Sequence, residues 1–221
     1  MEKVFVAKAI VLSKKKWREN DLFFCLLTDN FGKIDVLASG AQKITSKLSG
    51  QLAGSGICEI NYVQGNLYKR LIQACLVEKF SLAEENDFYY YQAFLEILDK
   101  VFPTEEKNEG LFIFIKKAIA GVLSEKNQAK KKLLFSVFLI KLLVFLGFAI
   151  SENEKFINAG GGMNFQNIKD FINKAQSEKG EPLGLSLLLS EQGILFDFLQ
   201  KFLHYHVEKE FQSLGFLSKF R

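Results

Sequence analysis

Two histidines and three cysteines in 221 residues leave little material for metal or nucleophile chemistry. His204 and His206 stand i, i+2 in a helical stretch, so they face different sides and cannot share a metal there. Cys25, Cys58 and Cys75 each sit among apolar residues of a strand-like segment, and no pair has C-x-x-C spacing. They read as reduced, partly buried thiols of a cytosolic chain rather than a disulfide framework or zinc site. Ser-His-Asp, Cys-His and H-E-x-x-H patterns are absent. Gly160-Gly161-Gly162 is not followed by the Lys-Ser/Thr of a phosphate loop. Glu84-Glu85 and Glu105-Glu106 fall at expected helix starts, where acids suit the dipole, and read as caps rather than catalysts. The sequence therefore predicts no enzyme, no metal and no cofactor.

Long apolar runs are also scarce. Leu133–Ile150 is the one membrane-like stretch, and Lys141 at its centre opposes insertion; a buried bundle helix explains it. Met1-Glu2-Lys3 leads directly into an alternating segment, so no signal peptide is expected. Arginine is limited to Arg18, Arg70 and Arg221. With Lys, Asn, Ile and Phe so abundant, the clustering of the lysines carries more weight than their number.

That clustering is sharp. Up to Phe80, twelve Lys and Arg stand against seven Asp and Glu, a net of +5; the remainder carries −1. The basic part is also the part with strand periodicity. Val4–Leu12, Leu22–Thr28, Lys33–Ser39, Ile57–Val63 and Tyr68–Lys79 alternate or run apolar between turn signals. Asp29–Lys33 reads as a hairpin with Gly32 at positive φ. Lys14–Arg18 reads as a loop, and Gly40–Gly56 as an ordered connection with room for one helical turn. From Ser81, whose Ser-x-x-Glu84 pattern suggests a capping box, the period becomes helical: Glu84–Phe102, Glu109–Ser124, Lys130–Phe148, Phe165–Ser177 and Gly193–Phe211. A second capping pattern lies at Ser151-x-x-Glu154. The expected architecture is α+β: a five-stranded OB-fold β-barrel over 1–80, followed by an α-helical domain over 81–221.

Small basic barrels of this kind hold single-stranded nucleic acid. Phosphates attract cations, and unstacked bases attract flat rings. The candidate DNA-binding residues are Lys14, Lys15, Lys16, Trp17, Arg18, Lys33, Lys43, Lys47, Lys69 and Arg70, with Phe31, Tyr62 and Tyr68 nearby. Trp17, the only tryptophan, lies among four cations; it reads either as a nucleic-acid contact or as a lid folded on the barrel. Phe31 and Tyr62 read as packing residues. Lys130, Lys131 and Lys132 open the central helix, against the dipole. With Lys141 they are candidates for the rim of a partner-binding groove, the alternatives being a solvated helix end and a snorkelling Lys141.

Several strings together resemble the bacterial recombination mediator family RecO: Ala9–Leu12; Glu19, Asp21 and Leu22; Thr28, Gly32 and Lys33; Gly40, Ala41, Lys43, Ser46 and Leu48; Leu143, Leu146, Gly147 and Phe148; and Gly215-Phe216-Leu217. The resemblance implies a barrel followed by a helical domain. It implies binding of single- and double-stranded DNA and annealing of complementary strands. It also implies help in loading RecA onto DNA coated by the single-stranded-DNA-binding protein, with RecR and that protein's C-terminal tail as partners, in a cytoplasmic, nucleoid-associated setting without membrane. Two departures stand out. Residues 149–166 hold no Cys or His, so the zinc module of many members is not expected. Gln42 replaces a cation common after Gly-Ala. The rival readings are an RNA-binding barrel, separated by RNA preference, and a non-catalytic helical scaffold, separated by partner binding without nucleic-acid affinity.

Overall fold

The computed structural model describes residues 3–105, 107, 109–148, 150, 166–177 and 187–217. They divide into two compact units, 1–120 and 121–221. The first contains β1 (Val4–Lys16), β2 (Leu22–Thr28), β3 (Gly32–Ala38), α1 (Lys47–Leu52), β4 (Gly56–Gln64), β5 (Lys69–Lys79) and α2 (Glu85–Val101). α3 (Glu109–Ser124) runs across the division, and the second unit holds α4 (Gln128–Phe145), α5 (Gln166–Ser177), α6 (Leu189–Val207) and α7 (Gln212–Leu217). The Ser151, Glu154 and Gly160–Gly162 features lie outside the described residues.

The five strands close in the order β1-β2-β3-β5-β4, so no edge is left open. All neighbours are antiparallel except β3 and β5, which meet in parallel at Val36↔Lys69 and Leu37↔Arg70. This is the expected OB-fold barrel. Alternation decides what fills it. Phe24, Leu26, Ile34, Val36, Cys58, Ile60 and Tyr62 point inward and pack with Leu52 of α1. α1 is fixed by Gln51, whose carboxamide oxygen accepts from Leu76 N–H (2.8 Å) and whose carbonyl accepts from the Cys58 thiol (3.4 Å). Burial pushes that thiol up to about 11.

Two motif residues shape the β2–β3 hairpin. The Thr28 hydroxyl donates to Gly32 O (2.7 Å) and accepts from Phe31 N–H (3.0 Å), while Gly32 takes φ 66°. Phe31 and Tyr62 are packing residues as expected, both in ring contact with Phe5.

α2 lies against the barrel, and its C-terminal turn covers part of the outer face of β2 and β3. The Cys25 thiol donates to Asp99 Oδ1 (3.3 Å), and Lys33 Nζ donates to Asp99 O (2.6 Å). Buried beside that carboxylate, the Cys25 thiol is pushed far above its ordinary range. The expected Ser81 capping box does not form. Glu84 is the N-cap instead, and buried Asp87 accepts from its N–H (2.9 Å), because this register places the acid inside the first turn.

In the second unit, α4 is the central helix, packed by α5 and α6. Phe135, Phe138, Leu139, Leu142 and Leu143 are buried. α4 ends at the Leu-x-x-Leu-Gly-Phe motif. Phe148 N–H donates to Leu143 O (2.8 Å) and Gly147 N–H to Val144 O (3.0 Å), with Gly147 at φ 84°. These are the two bonds of a Schellman ending, which explains the glycine. No helix among the described residues is long and apolar enough to cross a membrane.

Candidate nucleic-acid interface

β1 runs on to Lys16, four residues past the expected end, so Lys14–Lys16 is strand rather than loop. Past a bulge at Leu12 its partner is β2, with Lys14↔Phe24, Lys15↔Phe23 and Lys16↔Leu22. The cations alternate with the pleat. Lys14 and Lys16 oppose residues that point inward, and only Lys15 lies on the outer face beside Phe23.

Phe23 in turn opposes Leu37 of β3, and Leu37 opposes Arg70 of β5. One row therefore crosses four strands: Lys15, Phe23, Leu37, Arg70. Over it sit Trp17, from the β1–β2 loop, and Tyr68, from the β4–β5 loop. The three rings form a closed set: Trp17–Phe23 centroids are 5.0 Å apart, Phe23–Tyr68 5.0 Å and Trp17–Tyr68 5.6 Å, all edge to face. Edge-to-face pairs contribute about 0.5–1.5 kcal/mol each beyond burial. Trp17 is nonetheless 46% exposed and Tyr68 38%. The tryptophan is thus both a clip joining two loops and a surface ring. Phe23 was missed in the sequence because LFFCLLT is apolar on both faces; only strand register separates it from Phe24.

The loop carrying Trp17 is held rigidly. Trp17 N–H donates to Asp21 O (3.1 Å), and the Asp21 carboxylate accepts from Gly40 N–H (2.8 Å). Gln42 N–H donates to Asn20 O (3.0 Å), and its carboxamide nitrogen donates to Arg18 O (3.1 Å) and Asp21 O (3.0 Å). Gln42 is therefore a clamp between the two loops. It also ties the exposed segment of Lys43 and Lys47 to that of Arg18. Gln42→Ala removes two side-chain bonds, each worth about 0.5–1.5 kcal/mol. The expected result is increased mobility at Trp17, read as a fall in its fluorescence anisotropy, and a Tm lowered by a few degrees.

Lys33 and Lys69 are engaged elsewhere. Lys33, its side chain 11% exposed, is held by Asp99 at the end of α2, so the structure removes it from the phosphate-binding set. Lys69 alternates to the other side from Arg70 and is ion-paired with Glu105. Glu105 does not cap a helix: it precedes α3, takes φ 65°, and donates its N–H to Lys33 O (2.7 Å). The Lys69 ammonium holds the Glu105 carboxyl below its ordinary range. A depressed carboxyl keeps its pair at neutral pH and loses it only as pH falls through the lowered value. Glu105→Gln therefore frees Lys69 at neutral pH. DNA affinity is expected to rise roughly twofold to fivefold at low salt, through one more net positive charge in the general field, and the gain to disappear at high salt.

In the second unit Lys130 is exposed and its N–H donates to the Asn127 cap (3.1 Å). Lys131 is 1% exposed, which removes it from any rim. Lys132 Nζ lies 5.0 Å from the Phe196 ring centroid, and burial lowers its pKa against the opposing pull of Asp197. Lys141 is half-buried. Among the described residues no group of three His, Cys, Asp or Glu could hold a metal.

The model of the recombination protein O N terminal domain matches residues 1–80, and that of the recombination protein O C terminal domain matches 86–158. This chain belongs to the RecO family. Relatives named DNA repair protein RecO agree. That of Thermoanaerobacter sp. is 24% identical over 242 residues, covering 96% of each chain. That of Caldicellulosiruptor bescii is 26% identical over 154 residues, or 69% of this chain and 62% of the relative. That of Listeria monocytogenes is 30% identical over 145 residues, 63% and 54% of the two chains. The match thus spans less than two thirds of the latter two relatives. The RecO N-terminal match ends where β5 ends, one residue past Lys79.

Proposed function

We propose that the chain is a non-catalytic recombination mediator that binds single- and double-stranded DNA on the half of the barrel's outer face that carries Trp17, Phe23 and Tyr68. The observation that carries this is the Trp17–Phe23–Tyr68 set with Lys15 and Arg70 in one cross-strand row. It occupies the β2–β3 face between the β1–β2 and β4–β5 loops, where OB folds take oligonucleotides. α2 covers the other half of that face, at Cys25 and Lys33.

The mechanism is electrostatic. Lys15, Arg18, Lys43, Lys47 and Arg70 neutralise phosphates, with Lys14 and Lys16 adding to the field from the opposite side of the strands. With repulsion reduced, two complementary strands can meet, and base pairing supplies the specificity. The helical part serves partners: RecR, and the acidic, apolar C-terminal tail of single-stranded-DNA-binding protein, for which Lys130, Lys132 and Lys141 are the candidate contacts. RecA loading follows indirectly. The work belongs to the DNA of the cytoplasm.

A strand-annealing assay tests this. Two complementary oligonucleotides with donor and acceptor dyes should pair severalfold faster with stoichiometric protein at low salt, and the gain should vanish at high salt. An annealing rate unchanged by protein at low salt would remove the mediator reading.

A further inference from the structure

We infer that the three-ring set is a base-stacking platform that makes the barrel face discriminate single-stranded DNA from duplex. The inference rests on the proposed barrel-face reading and goes beyond it by separating two kinds of contact within one site. Cations see phosphates, and every form of DNA presents phosphates. Rings see base faces, and only an unpaired strand can turn a base face outward. The two sets are distinct side chains here. Lys15 and Arg70 lie at the ends of a row that crosses three strand gaps, which at ~4.8 Å per gap spreads them over about 14 Å. Trp17 and Tyr68 lie over the middle of that row, each in edge contact with Phe23.

Edge-to-face packing anchors each ring while leaving much of it to solvent. Nearly half of Trp17 remains exposed. The ring positions are also fixed in advance. Asp21 and Gln42 hold the Trp17 loop through four hydrogen bonds from or to side chains and backbone of the neighbouring segment. Gly65 N–H donates to Tyr68 O (3.1 Å), closing the Tyr68 loop. A base entering the platform therefore meets rings already ordered, which lowers the entropy cost of binding.

Trp17 is the only tryptophan, so its emission reports on the platform without any substitution. Three probes of equal length separate the contacts: an oligothymidylate, a blunt duplex, and an abasic oligomer that keeps phosphates and lacks bases. In the full chain the oligothymidylate should quench Trp17 emission in step with binding measured by anisotropy, and the bound abasic oligomer should leave it within a few per cent of the free value. Tyr68→Ala should weaken oligothymidylate binding roughly fivefold to a hundredfold, the loss of one stacked base, and duplex binding less than threefold. Trp17→Phe should restore most of the single-strand affinity that Trp17→Ala removes, since a ring face is what is needed. Equal quenching by the abasic oligomer, or equal loss of single-strand and duplex affinity in Tyr68→Ala, overturns the platform while leaving the barrel as the DNA site. No binding of any probe overturns both.

Discussion

Phe24→Ala should destabilise the barrel unit by about 3–5 kcal/mol, the usual cost of truncating a fully buried phenylalanine. For a unit of this size that is a fall in Tm on the order of 10–20 °C. Phe24 is 1% exposed at the centre of a cluster that includes Leu26, Ile34, Val36 and Ile60. Its strand partners are Lys14 and Val36, so no neighbouring strand has a spare side chain to fill the void. The adjacent substitution should behave in the opposite way. Phe23→Ala, on the outer face, should cost only about 1–2 kcal/mol through its ring contacts and should weaken single-strand binding in a protein that still melts cooperatively. Melting curves and oligonucleotide titrations on the two variants check the register directly. Equal destabilisation by both would mean that β2 is not seated as the pairing Leu22↔Ala38 through Thr28↔Gly32 requires.

The second large effect is on affinity. Lys15→Glu combined with Arg70→Glu reverses both ends of the cross-strand row without touching the core; both residues are exposed. Loss of two phosphate contacts should lower the magnitude of the salt slope for single strands by about 1.4, and repulsion by the new carboxylates should reduce affinity at low salt on the order of a hundredfold. Lys14→Glu with Lys16→Glu makes the same change in charge two residues' spacing apart on the same strand. Because these side chains alternate to the other side of the β1–β2 ribbon, the expected loss is only severalfold, through the general field. Comparison of the pairs by anisotropy at several salt concentrations isolates position from charge. Equal losses would show that the face carries no local site and that net charge alone governs binding.

What could be read from the sequence, and what could not, divides along contact distance. The five strands and the α3 span were legible because each depends on its own alternation or period. β2 is found at Leu22–Thr28 and α3 at Glu109–Ser124, as the periodicity predicts. The apolar signal of β1 stops four residues short of its end at Lys16, because a run of lysines carries none. That run remains a strand because β2 pairs with it, and that partner is invisible locally. Lys33 carries a family motif and a suitable charge, but it is spent on Asp99, 66 residues away. Glu105 looked like a helix cap and instead holds Lys69, 36 residues away. Gln42 looked like a missing cation and is a loop clamp. Composition singles out the Trp17 loop. The β1–β2 turn brings Phe23 to it, and Tyr68 joins them only through the closing of the barrel between β3 and β5.

The proposed function places DNA on the barrel face that carries Trp17, Phe23 and Tyr68, held through phosphate contacts. Its most direct test is fluorescence anisotropy of a labelled single-stranded oligonucleotide titrated with the full chain across a range of salt concentrations. Micromolar or tighter binding at low salt is predicted. Five phosphate-facing cations then give a log–log slope of about −3.5. Absence of binding at low salt, or an affinity indifferent to salt, would contradict it.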